Sequence, residues 1–243
     1  MPTRRRFLVA GGTALAAFSL RAQGTDSVPT NLDHILLGCR DLDQGITLVQ
    51  SHTGVRAAFG GVHPGRGTQN ALLSLGDRHY LEIIAPDPKQ EMPENRVPRA
   101  ARDLVTELKS LAGPRLVGWA AHPGSLADFA KKLHAAGIAF RGPTAGSRER
   151  PDGRLLQWQT LNLDKNDSAL LPFFIEWAAD SPHPASDAPQ GCRLVAFELV
   201  TSDPGALTKT VALMSLDVSV TKGTEPQIRA RISGPKGELN LTS

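Results

Sequence analysis

The chain has 243 residues, 40% of them hydrophobic, and a formal net charge of +3 at pH 7. This length is enough for a substantial core, in one domain or in two small ones, so the fold requires no disulfide framework or structural metal. The first 23 residues contain four arginines and no acidic residue, which leaves the rest of the chain at −1. The basic character belongs to this leader, and we therefore expect no nucleic-acid partner.

The N-terminal segment has the pattern of an export signal. Thr3-Arg4-Arg5-Arg6-Phe7-Leu8 precedes a weakly hydrophobic stretch from Val9 to Leu20. Paired arginines before such a stretch are typical of twin-arginine signals, and the stretch is too short and too rich in Gly and Ala for a membrane span. We predict a twin-arginine-type signal peptide over residues 1–23 and a periplasmic or extracellular mature protein without a stable membrane span. An uncleaved amphipathic start or a membrane anchor is the alternative.

The first of three similar units covers about residues 31–88. Its first eight residues from Leu32 are almost continuously apolar, as expected for a strand covered on both faces. A helix follows, which starts at Asp41 and stops at Gly54. A turn-rich segment at 60–67 separates the next strand from a predicted hairpin, and these three strands are placed at 55–59, 70–75 and 79–85.

The same order of elements recurs twice. After a predicted connecting helix at 100–111, the second unit, at about 114–180, has a strand, a helix capped by Ser125, and three more strands. A third βαβββ-like unit occupies 191–243. We expect an α+β fold in which the paired βαβββ units of residues 31–184 form a cupped, mostly antiparallel mixed sheet with the helices outside. The functional site should then lie on the concave face.

Among the ionisable residues within predominantly apolar strands, three stand out. His34 lies in the first strand, Glu82 lies in Tyr80-Leu81-Glu82-Ile83-Ile84, and Glu176 lies in Phe173-Phe174-Ile175-Glu176-Trp177. Burying a charge is costly unless the charge is paired, hydrogen-bonded or bound to a metal. The two glutamates occupy matching places in two units, which makes these side chains candidates for the site.

These residues, with other stretches, resemble a known family. The resemblance also includes His63-Pro64-Gly65, Gly67-Thr68-Gln69-Asn70, Leu75-Gly76-Asp77, Arg150-Pro151-Asp152-Gly153 with Trp158, and His183-Pro184. The chain resembles the vicinal-oxygen-chelate superfamily, and within it the glyoxalase-like domain group, clearly over residues 31–184. Resemblance at this level specifies a fold and not a reaction.

The resemblance implies a divalent metal such as Zn²⁺, Mn²⁺ or Fe²⁺ on the concave face. His34, Glu82 and Glu176 fall on three of the four ligand places, and Gly118, which has no side chain to offer, falls on the fourth. In such a site the metal acts as a Lewis acid on a chelating substrate, and Glu82 or Glu176 acts as general base. The alternative is a structural network in which the same groups only satisfy one another.

Four further residues are candidates for substrate binding. His63, Thr68 and Asn70 lie in or beside the glycine-rich loop and could offer hydrogen bonds at the mouth of the cup. Trp158 lies in an alternating strand, so that either its indole or the neighbouring amides face inward. The alternative for the loop is an ordinary hairpin connection with a solvated histidine.

The sequence leaves two classes of function open. One is a metal-dependent lyase, isomerase or dioxygenase acting on a small oxygen-rich molecule, and the other is a non-catalytic protein that sequesters such a molecule. The odd number of units also allows a structural role for the third one, including formation of a homodimer. No phosphate-binding loop is present, so we expect no nucleotide cofactor. Cys39 and Cys192, the only cysteines, are expected to be buried side chains, although export would permit a disulfide.

Overall fold

The computed structural model describes residues 27–76, 78–90, 92, 95, 97–150, 152–164 and 170–243. The predicted signal peptide at 1–23 lies outside these residues. None of the helices in the described part is both long and apolar enough to cross a membrane.

The first unit contains the predicted five elements. They are β1 (Leu32–Gly38), α1 (Leu42–Thr53), β2 (Ala58–His63), β3 (Thr68–Ser74) and β4 (Tyr80–Pro86). The Asp41 side chain caps α1 by accepting the backbone N–H of Gln44, and Gly54 ends the helix with a φ of 83°. Both helix boundaries are therefore set by the residues that predicted them.

The second unit follows after the connecting helix α2 (Arg99–Ser110). It consists of β5 (Arg115–Ala121), α3 (Leu126–Ala135), β6 (Phe140–Glu149), β7 (Leu155–Leu163) and β8 (Phe173–Trp177). The two units form one eight-stranded sheet in the order β2-β3-β4-β1-β5-β8-β7-β6. β1 pairs in parallel with β4, β5 pairs in parallel with β8, and β1 and β5 join the units in an antiparallel pair. The predicted cupped mixed sheet is confirmed.

Two strand predictions were wrong at their ends. The segment predicted as a loop from residue 60 belongs largely to β2, which continues to His63 and pairs with β3 across a register shift between Phe59 and Gly61. Strand β6 continues to Glu149, whereas the sequence pattern predicts a strand only over residues 138–141. The edge strands β2 and β6 contact each other, so the sheet curls nearly closed. Glycines in β2 permit this approach, because a side chain on Gly61 would come within 2.9 Å of the Glu149 carbonyl oxygen.

The helices lie on both faces of this sheet. α1 and α3 pack on the outer face, where their apolar side chains join the main core with Ile83 and Phe174. The concave face is covered at one end by α2, through Leu108 against Ile84. At the other end it is covered by the short helix α4 (Pro184–Asp187), whose Ala185 packs with Tyr80. The helices of the two units, α1 and α3, thus lie outside the cup as expected, and the connecting helix α2 and the short helix α4 cover its concave face.

The third segment forms a separate sheet on the outer face. Its elements are β9 (Arg193–Thr201), α5 (Pro204–Leu213), β10 (Ser219–Lys222), β11 (Gln227–Gly234) and β12 (Gly237–Thr242). The element order is that of the other units, but the strand order is β10-β9-β11-β12, so the first strand pairs with the second and third rather than with the last. Trp119 of β5 packs on Phe197 of β9 at a ring distance of 5.1 Å, which joins this sheet to the main core. Cys39 and Cys192 are buried free thiols, as expected.

Candidate active site

A β-bulge in β1 places two consecutive polar residues on the concave face. Leu32 pairs with Ala121 and His34 with Ala120, which leaves Asp33 as the extra residue. Asp33 and His34 therefore both face the cup, while Leu32 and Ile35 on either side belong to the main core.

Asp33 is fully buried and accepts hydrogen bonds from three side chains. Its oxygens lie 2.7 Å from His34 Nδ1, 3.2 Å from Trp177 Nε1 and 3.2 Å from His183 Nε2. Burial raises the pKa of Asp33, but its bonds to His183 and His34 outweigh this effect and hold the pKa well below its usual range. His183 Nδ1 accepts the backbone N–H of Ala185, so Nε2 carries the proton that His183 donates to Asp33.

Glu82 lies at the centre of the concave face of the first unit, between two imidazole rings. His34 Nε2 is 3.5 Å from one carboxylate oxygen, and His63 Nε2 is 3.6 Å from the other. Asn70 Nδ2 donates to Glu82 Oε1 at 2.7 Å. Burial raises the pKa of Glu82, but His63, His34, Asn70 and Arg148 together lower it below its usual value. Glu82 is therefore a buried carboxylate at neutral pH, with a residue exposure of 8%.

His63 is held in one tautomer by its neighbours. Because Asn70 Nδ2 donates to His63 Nε2 at 3.3 Å, the proton of the neutral ring lies on Nδ1, which donates to Thr68 Oγ1 at 2.8 Å. Burial lowers the pKa of His63 despite the opposing charge of Glu82, so the ring is neutral at neutral pH. The structure thus brings together His63, Thr68 and Asn70, which the sequence predicted as substrate contacts, and makes them neighbours of Glu82.

Arg148 enters the same cluster from the second unit. It comes from the edge strand β6 and is only 3% exposed. Burial lowers the pKa of Arg148, while Glu82 and Tyr80 raise it in part. The guanidinium is therefore a buried positive charge on the concave face, within electrostatic range of the Glu82 carboxylate.

Glu176 does not belong to this cluster, which corrects the predicted set of metal ligands. Its neighbours in β8 face the cup, since Phe173 contacts the His34 ring and Trp177 donates to Asp33. Side chains alternate along a strand, so Glu176 faces the outer layer. There its Oε2 accepts the backbone N–H of Leu126 at 2.7 Å, at the first turn of α3. Glu176 is a helix cap, and it is not placed to act as base at the Glu82 cluster.

The side chains present do not fit the divalent ion that the resemblance implies. Glu176 faces away, and Gly118 faces the cup with nothing within 4 Å of its missing side chain. Within the described ranges, no three or more His, Cys, Asp and Glu side chains are arranged to hold a metal ion. The positive charge of Arg148 also stands where it would repel a cation. Zn²⁺, Mn²⁺ and Fe²⁺ therefore have no matching ligand set among His34, Glu82 and Glu176.

Trp158 lies with its indole on the concave face. It pairs with Trp177 across β7 and β8, and the two indole rings are 5.5 Å apart. Trp177 in turn bonds Asp33, so Trp158 belongs to the wall of the cup beside the Asp33 network.

Sequence reasoning missed four residues of the site. Asp33 interrupts an apolar strand beside His34, and that signal was available. The sequence places Trp177 in the core or the cup wall and makes His183 a solvated or helix-capping residue, and His183 does cap α4. The bonds of both side chains to Asp33 depend on how α4 folds back over the cup. Arg148 lies in a strand whose other residues are mostly exposed, so its burial had no counterpart in the local pattern.

A cleft on the outer face is distinct from this site. It lies between α1 and β2 and is lined by Asp43, Arg56 and Phe59, among others. It contains none of the residues that surround Glu82, so the concave cluster remains the candidate site on chemical grounds.

The geometry of the concave cluster suits proton transfer. Asp33 binds Nδ1 of His34, and this arrangement stabilises a positive charge on the ring when Nε2 takes up a proton. Glu82 lies against that Nε2. A proton accepted by Glu82 can therefore pass to His34, in a relay whose end is anchored by Asp33.

Comparisons with solved structures found several chains that are similar to this one. A hypothetical protein from Staphylococcus aureus has a TM-score of 0.62 at 15% identity, over 87% of this chain and 84% of that one. A methylmalonyl-CoA epimerase from Mycobacterium tuberculosis has a TM-score of 0.42 at 20% identity, over 65% of this chain and 93% of that one. One from Streptomyces coelicolor, in complex with 2-nitronate-propionyl-CoA, has a TM-score of 0.44 at 18% identity, over 64% and 99%. No curated protein matches the sequence.

The sequence itself matches a family model. The model described as "Glyoxalase-like domain" matches residues 32–214, which include both units of the eight-stranded sheet and the first part of the third segment. The chain therefore belongs to the glyoxalase-like domain family of the vicinal-oxygen-chelate superfamily.

Proposed function

We propose that this protein is an enzyme that moves a proton on a small oxygen-rich molecule, as an isomerase or a lyase, with Glu82 as the base. One observation carries the proposal. Glu82 is an ionised carboxylate buried between two imidazole rings, with both histidines fixed from behind by Asp33 and Thr68. A carboxylate that is ionised and held in one position can accept a proton from a carbon next to a carbonyl group, and His34 lies beside it to receive that proton.

The residues around Glu82 have separate tasks in this reaction. Asn70 holds one carboxylate oxygen in place through its amide. Glu82 takes the proton from the ligand, and His34 receives it on Nε2 while Asp33 stabilises the resulting charge. Return of the proton to another atom of the ligand completes an isomerisation, and loss of a leaving group instead completes an elimination.

A second candidate function is sequestration without chemistry. The observation that favours it is the covering of the cup, since α4 packs over Tyr80 and the Glu82 side chain is only 10% exposed. A buried site of this kind holds a ligand well but exchanges it slowly.

Solvent deuterium exchange distinguishes the two functions without knowledge of the natural substrate. The protein is incubated in D₂O with a panel of small hydroxy and oxo acids, hydroxyketones and dicarbonyls, and deuterium uptake at carbon is followed by NMR. We expect protein-dependent uptake in at least one compound, lost in Glu82→Gln and kept in Glu176→Gln. Binding without uptake in the wild-type protein supports sequestration, and uptake unchanged in Glu82→Gln contradicts the proposal.

We further propose that the protein is exported. The support is the leader, in which Arg4 and Arg5 precede Phe7-Leu8 and a weakly hydrophobic stretch. Cell fractionation of the full chain tests this, with Arg4→Lys and Arg5→Lys combined. We expect the wild-type chain outside the cytoplasm and the double variant retained inside, whereas equal distribution of the two contradicts a twin-arginine route.

A further inference from the structure

The Glu82 cluster is covered on all sides in this structure. Glu82, His34, Asn70 and Arg148 are all buried. A ligand that gives a proton to Glu82 has to contact its carboxylate, so part of the cover over the concave face has to move aside before the ligand binds.

The three parts of this cover are attached with different strength. The rim, where β2 contacts β6, belongs to strands that are hydrogen-bonded into the eight-stranded sheet. Helix α2 has 12 residues and packs on the sheet through Leu108. Helix α4 is a turn of four residues, and its segment packs on the concave face through Ala185 and Ala188. Because an alanine side chain buries little apolar area, α4 is the part that detaches at the lowest cost.

Ion pairs hold the outer end of α4 in place. Asp187 Oδ2 lies 2.6 Å from Arg150 Nη1 and 3.1 Å from Arg154 Nη2. Both arginines belong to the turn between β6 and β7. The side chains of Arg150 and Asp187 are partly buried, so solvent screens their attraction less than that of a fully exposed pair. These contacts, which we call the Asp187 latch, tie α4 to the second unit, while its alanines rest on Leu72 and Tyr80 of the first.

The inner end of α4 contacts the proton relay itself. His183, which caps α4, donates from Nε2 to Asp33 at 3.2 Å, and Asp33 also binds His34. The α4 segment packs on Tyr80, whose ring stacks on the His34 ring at a centroid distance of 4.5 Å. Displacement of α4 would therefore expose His34 from this side and remove one hydrogen-bond donor from Asp33.

We propose that α4 is a lid over the Glu82 cluster, which the Asp187 latch holds shut and which opens to admit the ligand. This inference rests on the proposed function, since it assigns the regulation of that same site. Closing returns His183 to Asp33, so Asp33 regains its full set of donors only when the lid is shut. Movement of the lid thus couples access of the ligand to the arrangement of the relay.

Opening of the lid can be measured without any ligand, from exchange of the α4 amides with D₂O. The backbone N–H groups of Ala185, Ser186 and Ala188 are hydrogen-bonded within residues 183–188. Asp187→Asn weakens the latch and should lower the protection factors of all three by about threefold, with those of β4 unchanged. The second measurement is modification of His34 by diethyl pyrocarbonate, followed by mass spectrometry, which should accelerate by the same factor.

The matched control is Asp164→Asn, which removes an exposed partner of Arg141 at the other end of β6 and β7 and should change neither measurement. Unchanged α4 protection in Asp187→Asn overturns the inference. Faster α4 exchange without faster modification of His34 also overturns it, because α4 would then not cover the route to the site. Acceleration of both without deuterium uptake in any compound of the panel contradicts the proposed enzyme alone. Glu82-dependent uptake with both measurements unchanged in Asp187→Asn contradicts only the lid.

Discussion

The two units of the cupped sheet share a backbone but differ in what they present to the cup. Each has a β-bulge in its first strand, with Asp33 as the extra residue in β1 and Val117 as the extra residue in β5. The same offset along the chain relates the two helix caps, Asp41 and Ser125. This offset matches Asp33 with Val117 and His34 with Gly118.

The last strands extend the contrast. In the first unit Leu36 pairs with Glu82, and in the second unit the matching Ala120 pairs with Phe173. The structural counterpart of Glu82 is therefore Phe173 and not Glu176. The positions of His34 and Glu82 in the first unit are therefore occupied by Gly118 and Phe173 in the second unit, neither of which can bind a metal ion.

The two units therefore contribute different kinds of side chain to the concave face. The first unit carries the proton-transfer groups, and the second supplies aromatic wall and a single buried arginine, Arg148. A symmetric metal site requires both units to contribute ligands. Here one unit provides the base and the other provides the fixed positive charge.

The largest expected effect concerns the two neighbouring phenylalanines of β8. Phe174 is fully buried on the outer face against Phe129, whereas Phe173 is partly exposed on the cup side. Phe174→Ala should lower the free energy of unfolding by about 3–5 kcal/mol, and Phe173→Ala should lower it less. Urea denaturation of both variants measures this. The reverse order would mean that β8 is turned over and that Glu176 faces the cup.

A second effect is the dependence of stability on pH. The folded pKa of Glu82 lies below its ordinary value of 4.5, so its stabilising contribution is complete above that value and is lost as the pH falls through the folded pKa. Wild-type stability should therefore decrease more steeply in this acidic range than that of Glu82→Gln, as measured by urea midpoints from neutral to acidic pH. Parallel profiles would show that the surroundings of Glu82 do not favour its charged form.

A smaller effect is expected at Glu176. Glu176→Ala removes the acceptor for the Leu126 N–H and should cost about 1 kcal/mol of stability, as loss of a helix cap does. Amide hydrogen exchange at the start of α3 should accelerate, and deuterium uptake by the ligand panel should not change. Loss of that uptake in this variant would return Glu176 to the site.

The smallest effect is expected at Gly118. Its missing side chain has open space around it, so Gly118→Ala should change the free energy of unfolding by less than about 1 kcal/mol, and in the stabilising direction. Gly60→Ala is the contrast, because its methyl group would collide with Asn70 Oδ1 at 2.5 Å. Equal thermal midpoints for these two variants would contradict the shape assigned to the cup.

The sequence predicted the fold well because its signals were local. Asp41, Gly54 and Ser125 act as the helix boundaries that their side chains indicated, and the apolar runs form the strands. The sequence also indicated His34 and Glu82 correctly as neighbours on the concave face. Those two residues lie in β1 and β4, which pair in parallel within the first unit, so their relative position depends only on how that unit folds.

The rest of the site depended on features that sequence patterns do not show. Asp33 interrupts the apolar run of β1, but side-chain alternation places it on the face opposite to His34, and only the bulge brings both residues to the concave face. Matching Glu82 with Glu176 by residue type ignored the register of β8, which makes Phe173 the counterpart. Burial of Arg148 arises from the closing of β6 against the glycines of β2, a contact between the two ends of the sheet.

The most direct test of the central claim is the metal content of the protein. The claim is that proton transfer on the concave face uses residues of the first unit and no metal ion shared between the units. The protein is isolated from the compartment where it resides, its bound metals are quantified, and Glu82→Gln is measured beside it. The account predicts substoichiometric metal in both proteins, together with Glu82-dependent deuterium uptake that survives chelator treatment. A stoichiometric divalent ion in the wild-type protein that disappears in Glu82→Gln would contradict it.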